Sequence, residues 1–281
     1  MPYKYLRYSL IALLLGAFYS SAEGPTEQEI RTAVTEKTNN IRRLMGFEKL
    51  HENDDWVIYS YLAILSQDGQ GPKDIYVYVP KDGDLEGLKL RVHGYQPFPF
   101  PTVSYSQFQR FLNDPSALDE LTFHLSDENT ADFKRRFINS LRLDFATDYG
   151  YQQFFRGEEA NFESFKDEYL PKLSQIREWN DLRLKMLRGN WTRPIPDALL
   201  ADKEFSAFLN KIALLGIDFV IPGVTDSSCS RCFMMVSGYT PADNYSGFLW
   251  IEDESQLPEW SPNGIFFRQS LGNGWYIFRS T

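Results

Sequence analysis

The chain has 281 residues, of which 43% are hydrophobic, 24% charged and 16% aromatic. These fractions exclude a disordered, collagen-like or low-complexity protein. The net charge of −9 argues against a nucleic-acid or anionic-membrane partner, because binding to phosphate groups needs a basic surface.

The first 22 residues have the pattern of a secretory signal peptide. A positively charged start precedes the apolar run 10–18, and small side chains occupy the last positions before Glu23. A bilayer-spanning helix needs about 20 apolar residues, so this run is too short to cross a membrane. We predict cleavage between Ala22 and Glu23, an exported protein (periplasmic or secreted), and no membrane insertion after cleavage. An uncleaved anchor is the alternative.

A helix and a β meander follow the leader. Thr26 and Glu29 match a capping box, and apolar residues at helical spacing predict a helix over about 27–45 that ends at Gly46. Three β-rich runs separated by turn residues then predict a three-stranded antiparallel meander. These runs are 56–65, 75–79 and 88–92.

After the meander, the sequence predicts a proline-rich junction, a helical region and a second β region. Alternating prolines at 97, 99 and 101 favour extended polyproline geometry and indicate a junction at 95–102. Residues 104–215 are mostly helical by their apolar spacing, with Pro171 expected to kink or split one long helix. Five short apolar runs between 217 and 278 predict an antiparallel sheet.

The predicted fold class is therefore α+β. An N-terminal helix and β meander (23–95) precede a helical region (96–216) and a C-terminal antiparallel sheet (217–281). The pattern leaves open whether these regions form one compact domain and whether the two β regions form one sheet.

Cys229 and Cys232 are the only cysteines. Outside the cytoplasm such a proximal pair normally oxidises, which favours a structural disulfide. A thiol–disulfide oxidoreductase is the functional alternative, but its first thiolate needs a helix N-terminus, and the following residues resemble a strand. A zinc site lacks a second Cys or His pair.

Other sequence features predict no catalytic, cofactor-binding or metal site. The three histidines are His51, His93 and His124, so no histidine stands late in the chain, where the α/β-hydrolase order needs its base. The chain also has no nucleophile elbow, P-loop or dinucleotide fingerprint. Residues 82–87 match half of a calcium loop, but a polar hairpin turn explains them better. The acidic runs 54–55 and 252–254 suit a solvated surface.

Tyr95, Phe98 and Phe100, which surround the prolines, are the best candidates for an exposed aromatic surface that stacks on sugars or peptides. Packing at the junction between the β and helical regions is the alternative, because most large rings are buried.

These observations favour an exported, acidic, non-enzymatic protein that binds another macromolecule, such as an inhibitor or an immunity-like protein. A protein or a polysaccharide is the expected partner, and no cofactor is predicted. The alternatives are an extracytoplasmic hydrolase of cell-wall or extracellular polymers and a thiol–disulfide oxidoreductase that uses Cys229 and Cys232.

Overall fold

The computed structural model describes residues 24–38, 41–65, 71–92, 103–114, 116–118, 131–179, 202–224, 229–239 and 245–280. The predicted α+β class is confirmed: helices accompany two antiparallel sheets of four and five strands. The helices are α1 (Glu27–Lys37), α2 (Tyr105–Asn113), α3 (Ala131–Asp144), α4 (Asp148–Tyr169) and α5 (Lys203–Leu214). The strands are β1 (Ile41–Glu52), β2 (Trp56–Leu65), β3 (Pro72–Pro80), β4 (Lys89–Val92), β5 (Phe219–Pro222), β6 (Cys232–Tyr239), β7 (Tyr245–Ile251), β8 (Ile265–Gly272) and β9 (Trp275–Ser280).

Helix α1 begins as the sequence predicts and ends earlier. The Thr26 side chain accepts a hydrogen bond from the Glu29 amide, and Glu29 accepts one from the Thr26 amide, so the capping box is complete. The prediction of a helix to residue 45 is wrong, because Ile41–Glu52 forms strand β1. Pairing with β2 overrides the helical spacing of its apolar residues, and Gly46 lies at an irregularity in that pairing.

The predicted three-stranded meander is confirmed and gains β1 at one edge, in the order β1-β2-β3-β4. One face of this first sheet packs against Ile30 and Val34 of α1. The other face contributes Ile58, Tyr76 and Tyr78 to the central core. Strand β3 is thus apolar on both faces.

Helix α4 contributes a row of aromatic side chains to the central core. Six aromatic side chains of this 22-residue helix are buried: Tyr151, Phe154, Phe155, Phe162, Phe165 and Tyr169. The helix ends in a 3-10 turn at Leu170–Lys172, and 173–179 are helical again, so Pro171 interrupts the helix as predicted. Phe162 packs against Phe248 and Trp275 of the second sheet.

The second sheet has the order β5-β6-β7-β9-β8, so the five predicted C-terminal strands are confirmed and the two β regions form separate sheets. Helix α5 precedes it, with Asp202 at its N-cap. Gly216 follows α5 at a φ of +67°, and an added Cβ there would lie 2.7 Å from the Asn139 backbone. Only glycine fits this chain reversal.

The two sheets meet in one buried cluster. The Tyr78 hydroxyl donates to the Phe266 carbonyl at 2.5 Å, and the Arg91 Nε donates to the Pro262 carbonyl at 2.6 Å. Tyr76 also packs against the rings of Phe266 and Phe267. Residues from all three predicted regions share this cluster, while the region boundaries themselves stay predictions. Within the described residues, no helix has both the length and the apolar character needed to cross a bilayer.

Candidate functional site

The predicted cysteine pair lies where the second sheet begins. Cys229 and Cys232 are both buried, their Cα atoms are 5.9 Å apart, and their sulfurs are at disulfide-bonding distance. Cys232 opens β6 and pairs with Ile251, and the described residues 229–239 contain no helix. The pair therefore lacks the helix N-terminus that would stabilise a reactive thiolate there.

Several predicted residues lie outside the described part of the chain. These are Ala22, Glu23, Tyr95, Phe98, Phe100, His93 and His124. The aromatic surface and the cleavage site therefore stay predictions. His51, which is described, stacks on Trp260 at 5.1 Å, and burial, with a smaller contribution from Arg268, lowers its pKa.

Within the acidic motif 82–87, Asp84 stabilises a turn. Asp84 accepts hydrogen bonds from the Glu86 and Gly87 amides at 2.9 and 3.1 Å, and this turn joins strands β3 and β4. The polar hairpin interpretation therefore fits better than a calcium loop. Among the described residues, no group of three or more His, Cys, Asp or Glu side chains is placed to hold a metal ion.

A cluster of buried charged and polar side chains, which the sequence analysis missed, lies between the two sheets and α4. We call it the charged junction; its members are Asp74, Tyr76, Asp148, Tyr151 and Arg279. Its centre is Arg279 of β9, which is fully buried. The Arg279 Nη2 donates to Asp148 Oδ1 at 2.9 Å, and the Asp148 side chain is only 14% exposed. Asp148 is the first residue of α4, where the helix dipole also favours a carboxylate. Arg279 and Asp148 therefore join the second sheet to α4.

Strand β3 completes the junction from the first sheet. The Tyr76 hydroxyl donates to Asp148 Oδ2 at 2.6 Å, so both carboxylate oxygens of Asp148 have partners. The Asp148 amide in turn donates to Asp74 Oδ2 at 2.7 Å. This amide belongs to the first turn of α4 and has no partner within the helix. Asp74 and Tyr76 thus fix the first sheet to the start of α4.

Tyr151 extends the junction into the core. The Arg279 guanidinium carbon lies 4.0 Å from the centre of the Tyr151 ring. The Tyr151 hydroxyl is 2.7 Å from Ser237 Oγ and 3.2 Å from Ser246 Oγ, so it is satisfied by β6 and β7. The Arg279 Nε is buried and has no hydrogen-bond partner among the described residues. The junction therefore holds one unsatisfied donor at its centre.

Burial dominates the electrostatics of the junction. Burial, with the nearby Asp148 carboxylate, raises the pKa of Asp74 to about 7, against the opposing effects of its hydrogen bond and of nearby cations. Burial also raises the pKa of Asp148, and that of Tyr76 lies well above its usual value. Asp74 therefore retains its proton to a higher pH than an ordinary aspartate does.

One signal in the sequence could have revealed this junction. Side chains alternate along a strand, so Arg279 must share a face with Trp275 and Ile277, which are core residues. A charged residue on a core face needs a buried partner. No local pattern identifies that partner, because Asp148 is 131 positions away.

A second feature is an open groove on the surface, between α1 and the turn that joins β3 to β4. Its volume is about 510 Å³, and its lining comprises Gln28, Glu29, Thr32, Ala33, Glu36, Lys37, Leu85 and Glu86. Half-buried Ala33 and Leu85 form an apolar floor. The Lys37 ammonium is turned towards backbone carbonyls and donates to Glu86 O at 2.7 Å. Exposed carboxylates therefore dominate the rim.

Comparisons with known proteins give no assignment: no protein-family model, no curated protein and no solved structure matches this chain. The candidate sites are therefore assessed on their own geometry.

Proposed function

We propose that this chain is an exported, acidic, non-catalytic protein that binds a basic macromolecular partner, in the manner of an inhibitor or an immunity-like protein. The observation that carries the proposal is the acidic groove between α1 and the β3–β4 turn. It combines an apolar floor with the exposed carboxylates of Glu36 and Glu86. Such an arrangement suits a segment that has an apolar side chain beside lysine or arginine, and the net charge of −9 favours its approach.

The carboxylates of the charged junction have a structural role that needs no hydrolytic activity. A hydrolase needs carboxylates that reach a substrate, with a general acid and base in position. Asp148 already receives hydrogen bonds from Arg279 and Tyr76, and Asp74 receives one from the Asp148 amide. These bonds connect three structural elements, so a stabilising role accounts for both carboxylates.

The groove is tested by reversing its charge. We expect the mature protein, immobilised and exposed to an extracytoplasmic fraction of its source, to retain a basic partner in a salt-sensitive way. The variant Glu36→Lys with Glu86→Lys should lose that partner. The control Asp167→Lys with Glu178→Lys makes the same change in net charge at exposed positions away from the groove, and it should retain the partner.

Two results would contradict this proposal. Equal loss of binding in both double variants would mean that overall charge, and not the groove, attracts the partner. Turnover of a cell-wall polymer by the purified protein would favour the hydrolase alternative.

Export is tested separately by sequencing the N-terminus of the protein recovered outside the cytoplasm. We expect it to begin at Glu23, because small residues precede this position. A protein that is recovered outside the cytoplasm and starts at Met1 would contradict the predicted signal peptide.

A further inference from the structure

The chain contains two Asn-Gly pairs, at 263–264 and 273–274. In such a pair the backbone nitrogen of the glycine can attack the side chain of the asparagine, because no Cβ crowds that nitrogen. The attack converts the asparagine to an acid. Its rate depends on how freely the peptide unit between the two residues can turn towards the side chain. The two pairs differ in this respect.

The pair at 273–274 is fixed by its surroundings. It forms the two-residue turn between β8 and β9, with φ of +53° at Asn273 and +78° at Gly274. The Asn273 carbonyl accepts a hydrogen bond from Trp250 Nε1 at 3.1 Å. A Cβ at Gly274 would lie 2.5 Å from the Ile251 carbonyl oxygen. The turn therefore requires this glycine, and its peptide unit cannot rotate without breaking these contacts.

The pair at 263–264 is held more loosely. Asn263 is exposed and lies in the turn 261–264, which is closed by a hydrogen bond of 3.3 Å from the Gly264 amide to the Ser261 carbonyl. Gly264 does not have a positive φ, and an added Cβ there would meet no atom nearer than 3.7 Å. The fold therefore does not require glycine at this position.

Arg91 of β4 lies against the Asn263 side chain. Its Nη2 donates to Asn263 Oδ1 at 3.2 Å, and its Nε donates to the Pro262 carbonyl at 2.6 Å. The Leu90 carbonyl accepts from Nη1 at 3.3 Å, so all three acceptors are neutral. Attack on the Asn263 side chain places negative charge on Oδ1. A cation that already donates to this oxygen stabilises that charge.

We propose that Asn263 is a self-modification site, at which the Gly264 nitrogen attacks and Arg91 stabilises the charge that develops. The Gly264 nitrogen loses its proton to solvent and bonds to Cγ of Asn263. The Cγ–Nδ2 bond then breaks, and the departing nitrogen takes up a proton and leaves as ammonia. Water opens the cyclic imide at either carbonyl and gives aspartate or isoaspartate. The net reaction consumes one water, releases one ammonia and needs no oxidant or cofactor.

The aspartate product changes the contact between the two sheets. A carboxylate at position 263 replaces a neutral acceptor of Arg91, and charge-assisted hydrogen bonds are shorter and stronger than neutral ones. This contact joins β4 of the first sheet to the turn that precedes β8 of the second. The modification therefore strengthens the link between the sheets and adds a negative charge to the −9 of the encoded chain.

Peptide mapping by mass spectrometry, on the purified full chain incubated at neutral pH, measures conversion at both pairs in one sample. We expect Asn263 to react at least about tenfold faster than Asn273 in the folded protein, because Trp250 holds the peptide unit of Asn273. In guanidinium chloride the two pairs lose their different surroundings and should react within about threefold of each other.

Two variants separate the contributions to the rate. Gly264→Ala should slow conversion of Asn263 about tenfold, because its Cβ fits the fold but crowds the attacking nitrogen. Gly157→Ala is the matched control: it also adds a Cβ in open space, and it should leave the rate unchanged. Arg91→Met should slow conversion about tenfold, less than the loss of a fully buried donor would, because this contact is exposed to solvent.

Three results would overturn the proposal. One is a folded protein in which Asn273 reacts as fast as Asn263, or in which Asn263 stays intact while the denatured chain converts. Another is an unchanged rate in Gly264→Ala. The third is a rate in Arg91→Met equal to or above that of the unmodified protein. If neither variant folds, the comparison of the two pairs in the unmodified chain decides the question.

Discussion

Replacement of Arg279 by methionine tests how much the charged junction contributes to folding. Methionine keeps an unbranched apolar stem but removes the charge that lies 2.9 Å from Asp148. Removing one partner of a buried ion pair costs about 3–5 kcal/mol, because the other charge remains without compensation. The Asp148 side chain is 14% exposed, so water compensates part of its charge, which favours the lower part of that range.

A second contribution acts in the opposite direction. The Arg279 Nε is buried without a partner in the described part of the chain, and the variant removes this unsatisfied donor. The gain is about 1 kcal/mol, at the lower end for a buried polar group. We therefore expect Arg279→Met to lower the free energy of unfolding by about 2–3 kcal/mol at neutral pH. For a chain of this size the corresponding fall in melting temperature is about 5–10 °C.

Thermal and urea denaturation of four proteins measures this effect. The set is the unmodified protein, Arg279→Met, Asp148→Asn and the double variant, which together form a double-mutant cycle. The double variant should be more stable than either single variant, because it leaves neither charge of the pair unbalanced. Arg231→Met is the matched control: it removes an arginine whose ion pair with Glu252 is exposed, and it should change stability by less than about 1 kcal/mol.

Strict additivity of the two single effects would refute this reasoning, because it would mean that Arg279 and Asp148 do not act as a pair. A loss in Arg279→Met no greater than in Arg231→Met would refute it equally, since burial would then not distinguish the two arginines.

Three further predictions concern the glycines, the cysteines and the charge. In calorimetry Gly247→Ala should destabilise by about 3 kcal/mol, because a Cβ there overlaps the Met235 carbonyl, whereas Gly157→Ala, in open space on α4, should stabilise by about 0.5–1 kcal/mol. Replacing Cys229 and Cys232 together by alanine should cost about 2 kcal/mol for the small loop and leave partner binding intact, and catalysis of disulfide reduction by the unmodified protein would argue against a structural bond. Duplex DNA and anionic vesicles should show no measurable binding at moderate salt, and a salt-sensitive affinity would reveal a basic surface that the net charge of −9 conceals.

Local sequence signals were sufficient for most of the elements. The capping box at Thr26 and Glu29 specifies where α1 begins, because its hydrogen bonds join residues only three positions apart. The turn residues after β3 and the short apolar runs after Gly216 specify strands for the same reason. Pro171 likewise interrupts its helix, because its ring fixes φ and leaves no backbone N–H to donate. Each of these features depends on nearby atoms of the chain.

Tertiary structure decided the features whose partners are distant. Residues 41–45 satisfy a helical spacing, but hydrogen bonding to β2 makes them part of a strand. The division into two sheets likewise depends on which strand edges meet in space. Asp74 and Arg279 approach Asp148 from 74 and 131 positions away, and packing of the core brings all three together. A local pattern indicates which residues favour a strand or a helix. The charged junction depends instead on burial, because polar groups removed from water need hydrogen-bond and charge partners from distant parts of the chain.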